Sequence, residues 1–98
     1  MAVALFTQWP AGPAETSQRV AERINQRLGG QFPTGGLYHA EGPTAEEGGW
    51  WTFNVWESED AFQRFHQDIL HPVLDEVGAS RGQVQQLQVA WDTSQMPR

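Results

Sequence analysis

A chain of 98 residues with 12 acidic side chains, six arginines, no lysine and no cysteine excludes several classes of protein at once. It is one domain with one modest core, since a chain this short buries roughly 60–70% of its unfolded surface. Disulfides, thiolate nucleophiles, Cys-ligated metals and lysine Schiff bases are ruled out, and a net charge of −6 argues against a nucleic-acid partner.

Residues 2–9 alternate Val3, Leu5, Thr7 and Trp9 on one face with Ala4, Phe6 and Gln8 on the other, which predicts a strand covered on both sides. A helix is expected over 13–28, with Pro13 as its first residue and Gly29-Gly30 ending it. Val20, Ile24 and Leu28 form its apolar stripe. Arg19, Arg23 and Arg27 lie off that stripe, where with Glu15, Glu22 and Asp60 they read as a salt-bridged exposed face.

A short second strand covers 36–41, and the acidic, Gly-rich stretch 42–49 is a solvated hairpin loop. Residues 50–57 make the strongest strand, with Trp50, Thr52, Asn54 and Trp56 on one face and Trp51, Phe53 and Val55 on the other. Ser58 is the expected N-cap of the next helix, whose buried face is Ala61, Phe62, Phe65 and Ile69. Pro72 is expected to bend or end it and to push His71 out of helical geometry, with a short turn over 73–77 before Gly78. The last strand is read over 83–91, carrying Val84, Leu87, Val89 and Trp91. The domain is taken as 1–92, with 93–98 a frayed tail.

The order β-α-β-β-α-β predicts an α+β, ferredoxin-like fold: a four-stranded antiparallel sheet with both helices on one face. The other face then carries Trp51, Phe53, Val55, Leu87, Val89 and Trp91 uncovered, and a homodimer packing sheet against sheet is the expected remedy. No apolar run approaches the roughly 18 residues of a membrane span and no signal-peptide pattern opens the chain, so a soluble cytoplasmic protein without membrane partners is expected.

The run Trp56-Glu57-Ser58-Glu59-Asp60-Ala61-Phe62, with an aromatic strand before it and Phe65 after it, resembles the dimeric α/β-barrel superfamily. Within it, the run is most similar to the antibiotic biosynthesis monooxygenase-like group. Tyr38-His39-Ala40 on the second strand fits the same group. The resemblance implies a cofactor-independent oxygenase, cyclase or isomerase acting on an aromatic or polyketide-like small molecule. In the quinone-forming branch, an Asn and a Trp four residues apart, a Tyr and a His line the pocket. Those positions fall here on Thr52, Trp56, Phe62 and His39, so two polar members are altered. The haem-degrading branch needs a Trp where Phe65 stands and a His where Asp75 or Glu76 stands, and both are missing.

His39 is the expected general base, since a neutral imidazole near pH 7 takes a phenolic proton. Trp50, Thr52, Asn54, Trp56, Phe62 and Phe65 are the expected pocket, bordered by Phe6 and Gln8 or else by the Leu5/Thr7 face of the first strand. His66 and His71 lie about 140° apart on an α-helix, so no metal site is assigned to them. A non-catalytic metabolite-binding or self-resistance protein needs the same pocket without a base. A third alternative is an interaction module whose tryptophans only fill core and interface.

Overall fold

The structure, a computed structural model, describes residues 2–10, 14–91 and 96. Alternating β-branched, aliphatic and aromatic side chains build β1 (Val3–Trp9) and, after β2 (Gly36–Pro43), β3 (Trp50–Trp56). With β4 (Gln83–Gln88) they form one antiparallel sheet in the order β2-β3-β1-β4. Between β1 and β2 runs α1 (Ala14–Leu28). Between β3 and β4 runs a helical stretch in three parts: α2 (Glu59–Phe65), a π-helical turn (His66–Leu70) and α3 (His71–Val77). The expected ferredoxin-like βαββαβ architecture is therefore the observed one. The expected helix start at Pro13 and the tail at 93–98 fall outside the described residues, Met96 excepted.

Register sorts the sheet into two faces. Val3 pairs with Trp56, Leu5 with Asn54, Thr7 with Thr52 and Trp9 with Trp50, so all eight share the face beneath the helices. Val3, Leu5, Trp56 and Phe62 close a core at one end of that face, with Ala61 and Phe65 packed against it. Leu5 and Leu74 are both only 1% exposed, a burial worth about 1.5–3 kcal/mol for each side chain. Ser58 caps α2 as expected, its Oγ accepting from the Ala61 N–H at 3.2 Å.

Three expectations need correction. Pro72 does not end the helix, and His71 keeps helical angles (φ −62°, ψ −44°). The turn before it widens instead, so that the His71 N–H bonds the His66 carbonyl five residues back. A widened turn gives the proline ring room that a regular α-helix denies it. β4 stops at Gln88, short of Val89 and Trp91, although the Val89 N–H still reaches the Ala2 carbonyl at 2.9 Å. Arg23 and Arg27 pair with Glu76 of α3, at 2.6 and 3.2 Å, rather than with acids of α1 or α2. Those bonds hold α1 against α3, because side chains four apart lie one above another on a helix. Among the described residues, no helix is long and apolar enough to cross a membrane.

Candidate functional site

α1 bridges over the sheet without burying any of its described side chains fully. Its half-buried stripe of Val20, Ile24 and Leu28 faces a cavity of about 690 Å³ between helix and sheet. The floor is Thr7 and Trp9 of β1 with Trp50, Thr52, Asn54 and Trp56 of β3. His39 and Glu41 of β2 line one side, and Phe65, His66, Leu70 and Leu74 close the helical end. Among the described residues, no arginine lines it. Its volume and aromatic wall suit an apolar small molecule fixed by a few polar groups.

Those polar groups form one chain across β2 and β3. A bulge at Leu37 shifts the register between Gly36 and Tyr38, and His39 stands opposite Asn54 on the cavity face. The pairing from Tyr38 to Pro43 is regular, so the hairpin side of the strand fixes the face on which His39 stands. His39 Nδ1 is hydrogen-bonded to Asn54 Oδ1, and its Nε2 lies 3.3 Å from Glu41 Oε1. Glu41 Oε2 in turn accepts from the Trp50 indole N–H at 2.9 Å. The hydrogen bond to Glu41 holds the His39 pKa above its ordinary value against the opposing effect of burial, and Asn54 adds to the rise. The same contact holds the Glu41 carboxyl below its ordinary value, with the Trp50 N–H helping. The imidazolium form of His39 is therefore more favoured than that of an ordinary histidine, and both ring nitrogens have a neighbour.

The core end of the cavity is different in kind. Trp56 is 3% exposed, and its Nε1–H has no hydrogen-bond partner among the described residues. An unpaired buried donor costs about 1–3 kcal/mol, a cost that an acceptor brought within its reach would recover. Beside it the Trp56 and Phe65 rings pack 5.1 Å apart, and His66 sits against Phe62 at 5.3 Å. Burial, aided by nearby His71, lowers the His66 pKa to about 4, leaving a neutral imidazole on the cavity wall. Among the described residues, no group of three or more His, Asp or Glu side chains is arranged to hold a metal ion.

The sequence-predicted residues divide accordingly. His39, Trp50, Thr52, Asn54, Trp56 and Phe65 all line the cavity. Phe6 and Gln8 do not: register places them opposite Phe53 and Trp51 on the far face, and the Leu5/Thr7 side of β1 supplies Thr7 instead. Phe62 is absent from the wall because it is spent in the packed core. Sequence reasoning missed Glu41, Trp9 and His66. Glu41 was within reach, since it lies two residues from His39 on one strand and so shares its face. Trp9, pinned by its Nε1–H to the Ser80 carbonyl at 2.8 Å, lines the cavity at the Trp50 end.

On the far face, half-buried Trp51, Phe53 and Val55 stand beside Phe6 and Tyr38. Phe6 and Trp51 lie 6.4 Å apart, Tyr38 and Phe53 6.3 Å. Leu87 is 46% exposed there. Val89 lies beyond the end of β4, as does Trp91, which is 60% exposed.

Among solved structures, the chain is similar to SnoaB, a cofactor-independent oxygenase from Streptomyces nogalater seen in mutant form. That match has 16% identity, 94% of this chain, 96% of that one and a TM-score of 0.68. A candidate antibiotic biosynthesis monooxygenase from Caulobacter crescentus matches with 15% identity, coverage of 92% and 91%, and a TM-score of 0.72. The fold is that of the antibiotic biosynthesis monooxygenase-like proteins. A heme-degrading protein from Mycobacterium tuberculosis, Rv3592, matches at 20% identity, 95% and 99% coverage and a TM-score of 0.57. No family model matches the sequence, and no curated protein does. Within this monooxygenase-like fold, the residues at the haem-branch positions here are Phe65, packed on Trp56, and exposed Asp75 and Glu76, the last held by two arginines.

Proposed function

We propose that this protein is a small cofactor-independent enzyme acting on an aromatic or polyketide-like molecule held between sheet and helices. The observation that carries the reading is the aromatic cavity whose wall bears both His39 and Trp56, the latter with a buried N–H that finds no partner among the described residues. Trp56 donates to a ligand oxygen, Asn54 orients the ligand, and His39 in its neutral form takes a phenolic proton. The resulting phenoxide is electron-rich enough to react with dioxygen or to rearrange. Monooxygenase, cyclase and isomerase outcomes all begin at this step. In the oxygenase case, one oxygen atom enters the ring and the other leaves as water. The far face of the sheet would pair with that of a second copy, giving a cytoplasmic homodimer.

The test is turnover of a dihydroxynaphthalene under air, followed by oxygen uptake and quinone absorbance. His39→Ala is expected to abolish it and Trp56→Phe to weaken it. Unchanged turnover in both variants would overturn the assignment. A monomer mass by light scattering at micromolar concentration would remove the dimer.

A second reading, a non-catalytic protein that binds or sequesters a hydrophobic metabolite, is favoured by one observation. Both His39 nitrogens are engaged by neighbours on the sheet, which leaves no free base in the resting site. Saturable quenching of tryptophan fluorescence by the same naphthol, without product over hours, would support it.

A further inference from the structure

The geometry points to Glu41 as the positioning residue of His39: by accepting the Nε2–H it makes Nδ1, the nitrogen facing Asn54, the basic one. This rests on the reading of His39 as a base and adds which nitrogen acts and what fixes it. The two residues sit two apart on β2 and project to the same face, so no loop has to hold them together. Glu41 Oε1 is 3.3 Å from His39 Nε2, and the carboxylate is itself fixed by the Trp50 N–H on Oε2 at 2.9 Å. An ionised carboxylate only accepts, so the ring must present N–H toward it. In the neutral imidazole the remaining nitrogen then carries the lone pair. The hydrogen bond made by one ring nitrogen sets the role of the other.

Asn54 completes the arrangement. Against the imidazolium its Oδ1 accepts from Nδ1, across the contact that these two atoms make. Against the neutral ring the amide must turn to offer its NH₂ group, or yield its place to a substrate hydroxyl. When the hydroxyl takes that place, its proton passes to Nδ1. The products are a phenoxide and an imidazolium carrying both N–H groups, still held at Nε2 by Glu41. His39 and Glu41 are each 39% exposed at the side chain, so substrate and solvent both reach the pair.

The ring nitrogen shifts of His39, read by NMR across a pH titration, test this directly. In the wild type the neutral ring is expected as the Nε2–H tautomer. In Glu41→Ala the Nδ1–H fraction should grow and the titration midpoint should fall. Trp50→Phe, which keeps an aromatic at the position, should move both the same way by less. In turnover of the dihydroxynaphthalene, the Glu41→Ala loss should fall on kcat rather than KM, and the acid limb of the pH profile should move down with the NMR midpoint. An unchanged tautomer and midpoint in Glu41→Ala overturns the positioning role, even where His39→Ala abolishes turnover. A changed tautomer and midpoint sustains that role, even where His39→Ala leaves turnover intact and removes the catalytic reading instead.

Discussion

His66 and His71 stand edge to face with ring centroids 5.3 Å apart, a contact that five residues of regular α-helix forbid. The π-helical turn between them, made where Pro72 cannot donate, brings the fifth residue round to the same side. Crowding and burial then keep His66 neutral.

His66 should titrate near pH 4, well below the ordinary histidine value of 6.5. Between those values the unfolded chain binds the proton and the folded one does not, so stability should fall as pH drops from 6.5 toward 4. His66→Phe keeps the aromatic packing and should flatten that part of the stability curve. Urea unfolding at a series of pH values checks it.

The His39–Glu41 pair should follow the opposite logic on its histidine side. The His39 pKa is raised, so its contribution is full below 6.5 and is lost as pH rises through the folded value. The Glu41 pKa is lowered, so its share is present above 4.5 and is lost as pH falls through the folded value. The coupling should therefore peak between about pH 4.5 and 6.5 and stay below about 1 kcal/mol, because both side chains are substantially exposed. A double-mutant cycle with His39→Ala and Glu41→Ala at pH 5.5 and pH 9 would expose a pair that ignores pH.

Gly35→Ala should cost about 1–3 kcal/mol. The residue has φ +83°, and an added Cβ would stand 2.6 Å from Ala61 Cβ, where β2 passes the first turn of α2. Gly29, just after α1, has φ +63° with open space around it, so Gly29→Ala should cost less. Equal losses for the two in urea midpoints would contradict the contact.

Trp56→Phe should separate binding from folding. Losing indole volume destabilises while removing an unpaired buried donor offsets it, so the net change should stay within about 1.5 kcal/mol. Affinity for an oxygen-bearing aromatic ligand should fall by up to about tenfold, the worth of one neutral hydrogen bond. Thermal melts and fluorescence titration measure the two quantities separately.

Alternation along β1 and β3 made the sorting of side chains into two faces legible from sequence, while the placing of Trp50, Thr52, Asn54 and Trp56 under the helices rested on the family resemblance. The Ser58 cap and the apolar stripe of α1 were equally plain, since each is a short-range pattern. What escaped reading depends on two elements meeting. Nothing local distinguishes the two faces of β1, so Phe6 and Gln8 were as eligible as Thr7 until the register was known. Phe62 and Phe65 share a helix face, yet one is packed core and the other cavity wall, because the core closes only at the Trp56 end. The proline rule failed at His71 because it assumes an unbroken α-helical repeat.

The bulge at Leu37 and the π-helical turn after Phe65 are the same operation carried out on a strand and on a helix. Each adds one residue out of phase and leaves the rest of its element in place. The first lies just before the regular run that carries His39, and the approach of His66 to His71 depends on the second. A chain that lost Leu37 would pair without the bulge and still present His39 opposite Asn54, so only the approach to the strand would change.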